Sequence, residues 1–228
     1  MSIHEYVSMR NRTDYIMPLY TPFIPTVILV ISYIIFPLFT SYTTYTLFLI
    51  EAFTYLIGAL VNIYVLYKWI KRRNQHFMRI TMLLYSIADY LSTRYKINVS
   101  RLRELAKEHE IRFRERFTAL WIILSILFPI VTLYVYHFLT RDFYNHEELE
   151  DRFLEELNEC LKDTDCGPLN YQRINRIPYR RTWLYALISI FSLGVFMFYW
   201  VYVITNDPNK HFKEHVRWED MLVDKFRI

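Results

Sequence analysis

The chain is poor in the residues from which reactive loops are built. Three glycines in 228 residues leave no Gly-rich turn to cradle a phosphate or a dinucleotide. No His-Glu-x-x-His or Cys-x-x-Cys-His string occurs, so zincin-type hydrolysis and haem attachment have no basis. Two cysteines are too few for a disulfide-stapled framework. Charge is also missing over long distances: of the stretches 23–42, 45–67, 117–139 and 183–205, only the second holds an Asp, Glu, Lys or Arg, namely Glu51. A soluble chain seldom stays uncharged for so long, and each stretch meets the roughly 20-residue requirement of a bilayer span.

What the sequence has instead is apolar and aromatic residues, 54% and 18% of the chain. Tyr and Trp gather at the ends of the four stretches, as in interfacial belts. The expected fold is therefore an all-α integral membrane protein with four transmembrane helices. The first 18 residues lack the apolar region of a cleavable signal. Fifteen Lys and Arg flank the spans on one side and six on the other, which predicts a multi-pass cell-membrane protein with both termini cytoplasmic. The expected segments are a cytoplasmic 1–22, a first hairpin 23–67 and a basic cytoplasmic helical segment 68–116. A third span 117–139, an acidic extracytoplasmic insertion 140–182, a fourth span 183–205 and a cytoplasmic amphipathic tail 206–228 complete the chain.

An internal repeat runs through this plan. At an offset of 135, Tyr64, Tyr67, Asn74, His76 and Phe77 coincide with Tyr199, Tyr202, Asn209, His211 and Phe212. At an offset of 92, Pro37 coincides with Pro129. Two-span units copied in tandem keep one orientation and give a parallel repeat of a helical hairpin. Residues 192–219, with Ser192-Leu-Gly194, Tyr199-Trp200-Val-Tyr202, Asn206-Asp-Pro208-Asn209 and Arg217-Trp218-Glu219, resemble the domain-of-unknown-function 4234 family of small prokaryotic two-helix membrane domains. The first copy follows the pattern weakly, with Val65 in place of Trp200. The resemblance implies a membrane helical pair and carries no catalytic residues.

Outside the spans, Phe77, Ile80, Leu83, Leu84, Ile87 and Leu91 recur at helical spacing. They predict an amphipathic helix, lying either on anionic headgroups or against the tail 212–226. From Ser100, an expected N-cap, no Pro or Gly occurs before Pro129, so one helix is predicted to run from Arg101 into the third span. Residues 146–162 read as a second amphipathic helix. Cys160 and Cys166 flank its end, and an extracytoplasmic setting predicts a local disulfide. Together with His146 they supply too few ligands for a metal site, and none is expected.

Within the spans, Glu51 is the exception, and Thr54, Gly58 and Asn62 continue its face. This stripe reads as a helix-packing seam; the alternative is a proton or cation path. Pro37 and Pro129 read as architectural kinks. His76 and His211 read as helix-end capping and interfacial anchoring, with a shared ligand or metal site as the alternative. The functional expectation is a non-catalytic accessory or scaffolding subunit, needing no cofactor, that packs on membrane lipids, other membrane proteins or copies of itself and binds no nucleic acid. The alternative is a small transporter or ion-conducting oligomer using Glu51.

Overall fold

The computed structural model describes residues 2–31, 44–162 and 164–226. These residues form helices and no strand. In chain order they are α1 (Ile3–Ser8), α2 (Arg10–Thr13), a 3-10 turn (Thr21–Phe23), α3 (Ile24–Val30), α4 (Thr44–Arg94), α5 (Ser100–Arg112), α6 (Thr118–Leu127), α7 (Ile130–Leu161), α8 (Thr182–Phe191) and α9 (Val195–Phe226).

Each long helix is paired with a short one that folds back along it. Gly58 of α4 faces α3 so closely that an added Cβ would lie 3.5 Å from Leu29 Cδ2. Trp121 of α6 meets both Tyr134 and Phe138 of α7 with ring centroids 5.3 Å apart. Arg116, just before α6, pairs with Asp142 at 3.1 Å. Tyr185 of α8 stands 5.7 Å from Trp200 of α9, and Arg180 pairs with Asp207 at 2.9 Å. A continuous helix would hold residues 17 apart about 25 Å from each other, so these contacts define antiparallel hairpins.

The expectation of four crossing helices is met only in part, and the first of them, 23–42, falls partly outside the described residues. Stretches 117–139 and 183–205 are each broken near the middle, and one helix among the described residues, Tyr45–Arg94, is long and apolar enough to cross a membrane. Pro129 caps the start of α7 at a hairpin turn instead of kinking a span. Pro37 lies outside the described residues. The other turn uses Gly194, whose φ of +88° suits a residue without a side chain, after Leu193 at +49°.

The proline that does sit inside a helix is Pro208. Its missing N–H leaves the Ile204 carbonyl without its helical donor, and Arg72 Nη2 donates to that carbonyl at 3.2 Å. A second correction concerns the predicted helix from Arg101 into the third span, which stops at Arg112 without Pro or Gly. The break is held by side chains of α4: Arg73 Nη1 donates to the Arg114 carbonyl at 2.7 Å, and Asn74 bonds both the N–H and the C=O of Arg116.

The third correction is topological. The segment 140–182 does not lie across a bilayer from 68–116. Phe77, Ile80, Leu83, Leu84, Ile87 and Leu91 of α4 share one core with Leu102 and Leu105 of α5, Phe153 and Leu157 of α7, and Phe212 and Leu222 of α9. No lipid layer separates residues packed in one dry core. Cys160 and Cys166 are separate thiols. The Cys166 sulfur is 2.7 Å from the Tyr95 hydroxyl, whereas Cys160 lies at the end of α7 with its sulfur 4.0 Å from the Asn98 carbonyl.

Candidate metal centre

Where α4, α7 and α9 converge, His76, His146, His211 and His215 are completely buried. One ring nitrogen of each lies within 4.8 Å of those of the other three. His76 Nε2 is 3.1 Å from His211 Nε2 and 3.4 Å from His146 Nε2. Four nitrogens at about 2.0–2.1 Å from a tetrahedral ion are separated by about 3.3–3.4 Å, so these two spacings are close to two edges of such a coordination sphere, and the remaining pairs lie within 4.8 Å.

The outward-facing nitrogens fix which atoms turn inward. His76 Nδ1 lies 2.9 Å from Asp14, a carboxylate held below its usual range because, although burial raises its pKa, His76 and Arg79 outweigh burial. His211 Nδ1 meets Glu147 at 2.9 Å, and His215 Nδ1 meets Glu219 at 3.0 Å. For His146 the assignment runs through two further groups. Thr81 spends its one proton on the Phe77 carbonyl, so its oxygen accepts from His109 Nδ1 at 2.8 Å. His109 Nε2 then carries a lone pair and accepts from His146 Nδ1 at 2.8 Å. Every member of the cluster is thus tied outward through Nδ1, the arrangement that orients metal-binding imidazoles. The inward nitrogens of His76, His146 and His211 present lone pairs to one another, and His215 Nε2 faces the Glu150 carboxylate.

The electrostatics are those of a cation site. Burial is the main reason His76 drops to about 4 and His109 to about 3, and it drives His146 and His211 well below their ordinary values. These rings are neutral at pH 7, and of them His76, His146 and His211 keep an inward nitrogen available as a ligand, whereas both nitrogens of His109 are taken. Burial also lowers His215, but Glu150 and Glu219 outweigh it and raise the ring to about 9. Glu150 Oε1 is 2.8 Å from His215 Nε2 without hydrogen-bond alignment. The surrounding shell holds four buried carboxylates, Asp14, Glu147, Glu150 and Glu219. Two buried guanidiniums oppose them. Arg79 bridges Asp14 and Glu219, and Arg173 bridges Glu147 and Glu150. With Glu147 ionised the excess is one negative charge while His215 carries its proton, and two once a divalent ion displaces that proton, a charge the ion would then neutralise.

His76 and His211, read from the repeat, are brought together, but mid-helix within α4 and α9, not at helix ends. Their companions Asn74 and Asn209 each clamp a chain segment. Asn74 holds Arg116, and Asn209 bonds both the N–H and the carbonyl of Met17. Phe77 and Phe212 pack beside the rings, whereas Tyr64, Tyr199 and Tyr202 stay exposed and Tyr67 accepts from Lys71. His146 was weighed only as a companion of Cys160 and Cys166, and His215, His109 and the carboxylates were not read as site residues. Their signal was the spacing His211-x-x-x-His215, which places two imidazoles on one helical face. Glu51, Thr54, Gly58 and Asn62 are not part of the centre: Glu51 lies about 37 Å along α4 from His76 at 1.5 Å per residue. Thr54 back-bonds to Ile50, and Gly58 and Asn62 line a recess of about 370 Å³ shared with Gly194 and Phe198.

No known protein family matches the chain, and no curated protein or solved structure is significantly similar to it. The expected likeness of residues 192–219 to a small membrane domain family finds no matching family model.

Proposed function

We propose that the chain is a membrane-anchored, non-catalytic metalloprotein in which His76, His146, His211 and His215 hold one divalent transition ion, with zinc as the best fit. The observation that carries this reading is the convergence of Nε2 lone pairs at 3.1 and 3.4 Å while every Nδ1 is occupied from outside. Without a cation between them, those lone pairs repel. An all-imidazole, tetrahedrally spaced set suits zinc among first-row metals. A closed site with four protein ligands is the pattern of structural zinc; catalytic sites leave one position open. Zinc here would fasten α4, α7 and α9 to one another, which fits an accessory or scaffolding role better than transport through Glu51.

The hairpins supply the membrane anchor. α6 and α8 have ten residues each, about 15 Å of helix and half of a hydrocarbon core of about 30 Å. The stretch of α4 from Thr44 to Tyr67 is about 36 Å long and can cross. Phe191 and Leu193 at one turn are 83% and 95% exposed, and Leu127, Phe128 and Ile130 at the other are also bare. Such a surface belongs in lipid. In this reading α4 crosses the bilayer with α3 beside it and the other two hairpins enter one leaflet and return, so the metal-holding helices and 140–182 share one side.

The test is metal analysis of the full chain purified in detergent by a route without immobilised metal. About one zinc per chain is expected, falling below a tenth in His211→Ala and His76→Gln, with helical content retained. A wild-type chain that holds no metal, and whose thermal midpoint does not move on adding zinc, would refute the proposal.

A further inference from the structure

The two short hairpins leave the helical domain beside a basic recess of about 420 Å³, lined by Arg116, Arg141, Arg180 and Arg181 with Tyr134 and Trp183. The arginines occupy equivalent places in the chain. Arg116 precedes α6, Arg141 follows the apolar arm of α7, and Arg180 and Arg181 precede α8. They therefore share the level at which the chain passes from polar to apolar surroundings, where Tyr134 and Trp183 supply the aromatic residues typical of a headgroup layer.

Charge in the recess is not balanced. Asp142 is its one carboxylate, and Arg73 also claims it from behind at 2.8 Å. Arg180 is satisfied by both oxygens of Asp207. Among the described residues, neither Arg141 nor Arg181 has a carboxylate partner. Arg141 lies over the Tyr179 ring at 4.5 Å, a stacking that fixes the guanidinium plane and leaves its N–H edge free. His137 adds a further ring, held by Nδ1 at 2.6 Å from the Thr182 hydroxyl at the first turn of α8. A planar fork with free donors, a neighbouring unpaired guanidinium and the positive end of a ten-residue helix form a receptor for a tetrahedral oxyanion.

We propose that this recess binds a phosphate group, through Arg141 and Arg181, at the membrane surface. Its chemistry is common to an anionic phospholipid headgroup and a soluble phosphorylated ligand. It does not depend on the metal reading, because these arginines do not touch the histidine cluster. A choline headgroup is disfavoured, since its quaternary ammonium would meet a surface already carrying excess positive charge.

The experiment uses the full chain, delipidated in detergent and returned to lipid nanodiscs of phosphatidylcholine with or without phosphatidylglycerol. Lipid retention is read by native mass spectrometry, and stabilisation by thermal shift, with inorganic phosphate as the soluble probe. The wild type should retain phosphatidylglycerol over phosphatidylcholine. The double variant Arg141→Ala/Arg181→Ala should lose that retention at least tenfold while keeping its helical content, and Arg141→Lys should recover part of it. Stabilisation by millimolar inorganic phosphate, with displacement of the lipid, would assign the site to soluble phosphates; insensitivity to phosphate would assign it to the headgroup. Equal retention of the two lipids together with no response to phosphate would overturn the proposal, as would a double variant that binds as the wild type does.

Discussion

The two halves of α4 are one unbroken helix with the same taste for large apolar residues, yet they live in opposite ways. Before Tyr67, Phe48, Phe53 and Leu60 stand open, the middle one 64% exposed. After it, Ile80, Leu83, Leu84 and Ile87 are fully covered. Hydrophobicity alone does not separate them. The difference lies in the neighbours: the second half meets α5, α7 and α9 on its apolar stripe, and it carries Arg73, His76 and Arg79, which bond to Asp142, Asp14 and Glu219. The first half has α3 alongside it, buries Val65 and Leu66 at its end, and otherwise lies open. Buried charge is therefore a better marker of a protein-facing surface than apolar content, because a charge can be buried only where partners are built to receive it.

That contrast can be broken in several ways, the largest effect first. Thiol labelling in sealed vesicles should be all-or-none: native Cys160 and a cysteine placed at Lys96 should react from the same face. Reaction from opposite faces would restore the four-span plan and dismantle the shared core. Next, Leu84→Ala should cost about 2–5 kcal/mol of unfolding free energy, as core truncations do. Phe53→Ala, on the open half, should cost less than about 1 kcal/mol in the same detergent; equal losses would mean the two halves are packed alike.

A third effect is pH-dependent. His76 and His109 have folded-state values near 4 and 3, below the unfolded value of about 6.5. Their contribution is complete above 6.5 and is lost as pH falls toward those values. His215, at about 9, contributes fully below 6.5 and loses that contribution as pH rises through 9. Glu147, which burial raises to about 7, loses its contribution between its ordinary value and 7, a single group set against several histidines. Metal-free protein should be most stable near pH 6.5, each histidine adding a slope of up to ~1.4 kcal/mol per pH unit. Zinc should flatten the His215 part of the alkaline limb, since a ring coordinated through Nε2 has already given up the proton that titrates there. Denaturant midpoints across pH 4–9 with and without zinc would decide it, and a flat metal-free profile would count against the buried imidazoles. The smallest effect belongs to Gly194→Ala, which forces a side chain onto a φ of +88° and should cost about 1 kcal/mol while leaving metal content unchanged.

Much of the helical content was legible because periodicity and uncharged runs are local signals. The breaks were not. Nothing near Phe113 announces a helix end, because Arg73 and Asn74, some 40 residues earlier, hold it open. Pro129 looked like a kink because a proline that starts a helix and one that bends a helix are the same residue seen without its partners. The repeat pointed to His76 and His211 as counterparts, but their meeting depends on His146, from a segment that the Lys and Arg balance had assigned to the far side. Lysine and arginine near apolar runs report on which side a loop rests; they say little when a run turns back halfway.

In the proposed centre the rings come from positions 76, 146, 211 and 215, so the last two are synthesised long after the first two. On the proposed reading, an ion would not be captured by all four rings until α9 had returned beside α4 and α7. Metal occupancy would then act as a certificate of completed insertion, and a ribosome-bound chain halted after residue 180 should remain empty in zinc-containing medium.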